Sequence, residues 1–485
     1  VKKYAGILAV LVLLLGLAAL SYAAPAEIPS DTTAAIAKGK TQITLGGEIR
    51  MRGMYGRNLD VFDDDGDYDK TDKDGKVTHR SRNQSYYEYR VRLNMEAKIS
   101  PNTTGYVELE SSNEKTGNNS ENVKWGTGST GPKGNYTFGN WHDESSVYIR
   151  QAWIQHQGTG LLGVPLGVKV GKQLIKLGNG LFLDHTYFGD DAILAFVQPL
   201  KELTIAAYTI KFDENNEYLN DDSTAYGLLA SYAGNGWGIS ADATYVDHQN
   251  IGNGETAPYS GTFKDIHLWN FGLRGNYDDI AGTGLGIRAD VEFQTGKIED
   301  IPGKSDSDLK GWAVLGGLDY KFKSIPLTIT AEYARGSGDE SGDDDHKAFI
   351  STLGPEQHYT FVYEYLAPSA CNFMNGDSSR GNIRTGLCNT QYVKLGAISD
   401  ITKELKAEVY GYWLKAVEDV GINDPARKDD DLGWEVDAKV TYQLDKGLIY
   451  WVEGGYFWPG DAYDMQDGKS ADDAWAVRHG IQLKF

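Results

Sequence analysis

The sequence has 485 residues, a formal net charge of -21 and 40% hydrophobic residues. The acidic balance argues against a nucleic-acid partner, and only two cysteines argue against a disulfide framework as the main support of the fold. Fifty-eight glycines and 30 tyrosines against 13 prolines and 5 methionines describe a chain of strands and turns, rich in amphipathic aromatics.

In chain order, Lys2 and Lys3 precede an apolar run from Ala5 to Leu20, and small residues follow at Ser21, Ala23, Ala24 and Ala26. A basic start, an apolar middle and a small-residue end predict a secretory signal over 1–23, followed by a periplasmic segment over 24–41. A membrane anchor is the competing reading, but the run falls short of the ~20 residues that a spanning helix needs. No later run approaches that length, so a membrane role requires a closed barrel over 42–485.

The first predicted strand, 42–56, reads QITLGGEIRMRGMYG. Ile43, Leu45, Ile49, Met51 and Tyr55 share one face, and Glu48, Arg50 and Arg52 share the other. Period two is strand periodicity. The strand at 85–99 repeats the design: Tyr87, Tyr89, Val91, Leu93, Met95, Ala97 and Ile99 oppose Glu88, Arg90, Arg92, Asn94, Glu96 and Lys98. Six polar residues in succession on one face need water there. Further strands are predicted at 104–112, 146–156, 166–176, 190–197, 201–212, 224–233, 237–247, 266–277, 284–296, 309–322, 326–336, 391–399, 403–416, 432–444, 447–458 and 473–485. The last carries Trp475, Val477, His479, Ile481, Leu483 and Phe485 on its greasy face and Arg478 on the polar one.

Between these strands, long polar loops alternate with tight turns such as QPLKE at 198 and DKG at 445. An all-β fold is therefore predicted: a transmembrane antiparallel β-barrel of about eighteen strands, with short periplasmic turns and long extracellular loops. Sixteen is the alternative count if the weakly patterned stretch 166–197 folds inward. Aromatics near strand ends, such as Trp237 with Tyr245 and Trp312 with Phe322, fit interfacial girdles in contact with outer-membrane lipid.

Among the loops, 58–84 contains DVFDDDGDYDKTDKDGK, whose aspartates are a candidate Ca2+ ligand set, although the twelfth-position Glu of the strict calcium loop is absent. A solvated acidic loop is the plainer reading, and Asp343 to Asp345 and Asp429 to Asp431 are read as further acidic outer loops. Cys371 and Cys388 fall in the longest loop, 337–390, and are predicted to form a disulfide; free thiols or a metal pair are the alternatives. Gly158 to Gly163 matches G-x-G-x-x-G, but no helical pattern follows and a glycine-rich periplasmic turn is expected instead. No catalytic residue set is found. The histidines are scattered, and His479 on the lipid-phase face is read as a tolerated interfacial ring, a subunit contact or a lipase-like group.

The candidate functional residues lie in the lumen. Arg478 on the last strand, Arg50 and Arg52 on the first, and Arg90 and Arg92 on the second share the inward phase once the barrel closes; Arg150 and Arg288 extend the set. Permanently charged guanidinium groups grip carboxylates or phosphates in pairs and so form a candidate anion path. The alternative is a structural ladder with pore-lining Glu48, Glu88, Glu108 and Glu453, joined by Glu96 and Glu110.

Four segments carry a family likeness: VKVGKQLIKLGNGLFLDHTYFGDDAILAF, SGDDDHKAFISTLGPEQHYTFVYEY, GWEVDAKVTYQL and GGYFWPGDAY. With Gly171, Lys172 and Gln173 in the first, Gly342, Asp343, Pro355 and His358 in the second, and Gly455, Tyr456, Phe457, Pro459 and Gly460 in the last, the chain resembles the alginate export family of eighteen-stranded outer-membrane barrels. That resemblance implies a passive channel in the outer membrane of a Gram-negative cell. Phe485, a terminal aromatic on an alternating strand, resembles the signal by which such proteins are handed to the barrel-assembly machinery. The expected function is a porin, a diffusion channel for small hydrophilic solutes with anions among them, in which the long loop around Cys371 and Cys388 folds in as a constriction. Export of an anionic polysaccharide, a sheath for a periplasmic redox or secretion partner, and an outer-membrane hydrolase are the alternatives. No resident cofactor is expected, and the oligomeric state is left open.

Overall fold

The computed structural model describes residues 36–38, 41–59, 70–71, 77–78, 83–112, 123–125, 146–159, 163–214, 222–249, 265–299, 306–340, 345–353, 358–371, 386–465 and 468–485. The aspartates predicted as calcium ligands, Gly342, Asp343, Pro355 and the segment 1–35 lie outside them.

Among the described residues, eighteen antiparallel strands make the wall. They begin with β1 (Thr41–Arg57), β2 (Asn83–Ser100), β3 (Thr103–Ser112), β4 (Ser146–Thr159), β5 (Pro165–Gln173) and β6 (Asp190–Val197). Next come β7 (Leu203–Asp213), β8 (Ser223–Ala233), β9 (Trp237–Gln249), β10 (Asp265–Tyr277), β11 (Leu285–Glu299) and β12 (Trp312–Lys321). The wall ends with β13 (Leu327–Gly336), β14 (Thr390–Asp400), β15 (Leu405–Val420), β16 (Asp429–Asp445), β17 (Leu448–Pro459) and β18 (Ala474–Lys484). Each pairs with its sequence neighbour, and β18 closes on β1 from Glu48 opposite Lys484 to Arg57 opposite Trp475. Phe485 extends the seam, exchanging backbone hydrogen bonds with Gly47 at 2.8 and 3.1 Å.

Closure follows from the alternation. Leu93, Phe293 and Leu228 stand 52%, 54% and 62% exposed on the outer surface, where water would penalise each by ~1.5–3 kcal/mol relative to an apolar surrounding. The intervening residues Glu48, Arg50, Arg52, Glu88 and Arg90 are buried inside the barrel. Only lipid outside and a polar interior satisfy both faces.

Several boundaries differ from the sequence reading for local reasons. The nine-residue link expected at 157–165 shrinks because Gly158 pairs with Leu166 and Thr159 with Pro165, which carries β4 and β5 further toward the periplasmic side. The strand expected at 309–322 is interrupted. Ser307–Leu309 pairs with the outer end of β11, Lys310 N–H donates to the His346 carbonyl at 2.8 Å, and β12 restarts at Trp312. Asp429 to Asp431, expected in a loop, instead open β16, where Lys415 on β15 holds Asp430 at 2.5 Å and prolongs the ladder. The stretch 166–197 contributes β5 and β6 to the wall, and only the segment between them turns inward.

Gly171 explains part of that turn. It lies at φ 120°, and a Cβ there would sit 2.2 Å from the Ala152 carbonyl oxygen. Gly171→Ala is expected to destabilise the barrel by about 1–3 kcal/mol, lowering the temperature at which its compact gel mobility is lost. An unchanged transition would contradict the tight β4–β5 approach.

Candidate functional site

From β16 through β18 and on across β1, β2, β3 and β4 the lumen wall is a lattice of cationic and carboxylate groups. Arg52 pairs with Glu88 directly opposite. Arg90 donates to Glu48 through Nη2 at 2.6 Å and Nε at 3.1 Å. Arg92 holds Glu110 at 2.6 Å, and Arg150 holds Glu108 at 2.8 Å and Glu110 at 3.3 Å. Arg478 binds Glu453 at 2.5 Å, with Lys439 on the far side of that carboxylate at 3.4 Å. Arg50 is buried in the same wall, opposite Arg90 in register. Glu96 stands apart, paired with Lys98 at 3.1 Å. The lattice brings the predicted set together except Arg288, which lies on β11 and pairs with Glu332 at 2.6 Å and with Asp319.

A second charged centre faces this wall. Arg274 on β10 is shared by Asp242 on β9 and Asp290 and Glu292 on β11, and all three carboxylates are fully buried. The sequence reading missed it because Arg274 is the one charged residue in the run Asn270 to Tyr277 and its partners come from neighbouring strands. Its shared phase with Asn270 and Asn276 was the available signal.

Two loops fold into the lumen. The segment between β5 and β6 carries the apolar Leu177, Phe182 and Leu183, all buried. It is tied to the wall by Asn179, whose backbone and side-chain N–H groups donate to Asp290 at 3.0 and 3.1 Å, and by Arg150 Nε donating to the Tyr187 carbonyl at 2.8 Å. The segment between β13 and β14 contains a short helix, α1 (Tyr363–Leu366). Glu435 on β16 accepts the Val362 and Tyr363 N–H groups at 2.6 and 2.7 Å, and Asp437 accepts that of Phe361 at 3.0 Å. Such hydrogen bonds contribute ~0.5–1.5 kcal/mol each to a neutral acceptor and more to a charged one, so these three together are the main anchor.

Other contacts tighten the docking. Gln294 bonds the Ile350 backbone twice, at 2.7 and 2.9 Å. Arg478 lies over the rings of Phe361 and Tyr365 at 5.1 and 5.3 Å and donates to the Tyr365 hydroxyl at 3.1 Å. Burial pushes the Tyr363 hydroxyl up to about 12, so it stays neutral beside Thr390 Oγ1 at 3.0 Å. Cys371 and Cys388 are joined, with their Cα atoms 4.9 Å apart, near the loop's return to β14.

The two loops meet over the lumen. Leu183–Asp184 pairs in parallel with Thr352–Leu353, and His185 Nε2 lies 2.6 Å from the Thr352 hydroxyl. Between them and β11 to β14 remains a cavity of about 480 Å3, into which Lys176, Asp184, Arg288, Glu332, His358 and Lys394 project. This cavity is lined by both charge signs. Outside the barrel, His479 lies 3.3 Å from the Tyr450 hydroxyl and stacks on Tyr55, remote from this cavity.

A model of the alginate export family matches residues 41–477. The chain belongs to that family. As an alginate export family barrel it is similar in fold to two crystal structures from Pseudomonas aeruginosa. OccK8 (OprE) aligns at 12% identity and a TM-score of 0.50, covering 91% of this chain and 98% of that one. OpdQ aligns at 11% identity and a TM-score of 0.50, with the same two coverages. Comparison with curated proteins returns no match. Family, closed barrel and lipid-facing surface together make this member an outer-membrane channel.

Proposed function

We propose that the protein is a passive diffusion channel for small hydrophilic solutes, small anions among them, and that it has no catalytic role. The cavity left between the two docked loops carries this reading. At about 480 Å3 it matches the ~300–1,000 Å3 of small-molecule sites and offers Lys176, Arg288 and Lys394 against Asp184 and Glu332. The carboxylate partners of Arg52, Arg90, Arg92, Arg150 and Arg478 favour reading the lumen lattice as a ladder that stiffens the wall and sets a transverse field, rather than as an open anion track. Phe485 on the closing seam fits recognition by the barrel-assembly machinery.

The family match favours a second reading, export of an anionic polysaccharide, which requires both loops to leave the lumen. Swelling of proteoliposomes in iso-osmotic solutes separates the two. Rapid entry of monosaccharides and small organic anions, falling steeply with solute size, is expected. Exclusion of small solutes together with passage of oligouronates would replace the first reading with the second.

A further inference from the structure

The geometry points to a binding site for an amphipathic monocarboxylate, an aromatic or branched aliphatic acid, in the cavity between the inward loops, with Lys394 as its carboxylate ligand. This rests on the diffusion-channel reading and adds, to the small hydrophilic solutes that pass without being held, one class that the channel binds.

Lys394 differs from the other cations there. Arg288 is committed to Glu332 and Asp319, and Lys176 holds Asp184 at 2.8 Å. Lys394 makes no ion pair among the described residues, and its ammonium rests over the rings of Tyr410 at 4.5 Å and Tyr412 at 5.6 Å. Glu332 stands opposite it in register, yet spends its oxygens on Arg288 and on the Tyr392 hydroxyl at 2.8 Å. Glu408 is held by Lys406 at 2.9 Å and by the Tyr410 hydroxyl at 3.1 Å. Asp437 is engaged by the Phe361 N–H. None of these carboxylates comes within ion-pair distance of Lys394; Asp437 acts on it only at longer range, and what its ammonium touches directly is ring faces.

The rest of the cavity selects the remainder of the ligand. Leu181, Leu315, Leu353 and Leu387 line it together with Tyr359 and Tyr392, whose rings stack at 4.7 Å. Such a lining favours an apolar body and penalises a small, strongly hydrated anion. A second carboxylate on the ligand would find its cationic partners already taken and would face Glu332 and Asp184, so one negative charge fits better than two.

Benzoate is the probe, with benzyl alcohol and acetate as controls. Equilibrium binding of radiolabelled benzoate to the detergent-solubilised protein reads the site whether or not the barrel conducts, and interruption of single-channel current by benzoate reads it in the open channel. Saturable binding is expected, weakened roughly tenfold by Lys394→Met and largely restored in Lys394→Arg, with benzyl alcohol and acetate each competing far less well than benzoate. Conducting channels that neither bind benzoate nor respond to it would overturn the site and leave the diffusion reading standing. Binding that is indifferent to Lys394→Met, while Lys394→Arg folds normally, would also overturn it. Benzoate binding to a barrel that never opens would retain the site and remove the passive channel.

Discussion

Glu435→Ala combined with Asp437→Ala is expected to produce larger and noisier open steps in a planar bilayer than the unaltered channel. The two carboxylates accept three backbone N–H groups of the segment leading into α1. Removing them forfeits three docking bonds, each ~0.5–1.5 kcal/mol to a neutral carboxyl and more to a carboxylate. The remaining contacts, Gln294 on Ile350 and Arg478 on the Phe361 and Tyr365 rings, are individually weaker. The loop then spends time away from the wall, and the cavity beneath it widens. Glu435→Gln retains one acceptor oxygen and should give an intermediate current. Steps of unchanged size and noise in the double variant would show that these bonds do not hold the constriction.

The largest loss of stability is expected from Arg274→Met. Its guanidinium is shared by Asp242, Asp290 and Glu292, and the substitution leaves three buried carboxylates facing one another. Breaking a buried ion pair from one side costs ~3–5 kcal/mol, and here one cation serves three partners. Asp290 also anchors Asn179 of the first inward loop, so the damage extends to the constriction. The variant should lose its compact gel mobility at a much lower temperature and assemble in reduced yield. Adding Asp290→Asn and Glu292→Gln should recover much of the loss, because the effects of residues in one network are coupled. A variant as heat-resistant as the parent would contradict the assignment.

Much of the barrel was legible because the two solvents of the wall impose a period of two over most strands. Ile43 to Tyr55 and Tyr87 to Ile99 declare which face meets lipid without any knowledge of their neighbours. The charged wall was half legible: the inward phase of Arg52, Arg90 and Arg478 could be read, whereas the assignment of Arg90 to Glu48 rather than to another glutamate is a matter of register and rotamer. Arg274 and Lys394 escaped notice for the same reason. What distinguishes Lys394 is that Arg288, two strands before Glu332's own, takes the carboxylate standing opposite it. The first inward loop did leave a signal. Leu177, Leu181, Phe182 and Leu183 are unusually apolar for a segment that would face water on the cell exterior, and the burial of Leu177, Phe182 and Leu183 within the lumen is what that composition requires.

The central claim is a continuously open barrel narrowed by two docked loops. Single-channel recording of the purified protein in a planar bilayer, under a salt gradient, tests it most directly. The account predicts small, stable open steps at low voltage without any added partner, enlarged in the Glu435→Ala, Asp437→Ala variant. A membrane that stays silent with correctly folded protein, in parent and variant alike, would contradict it.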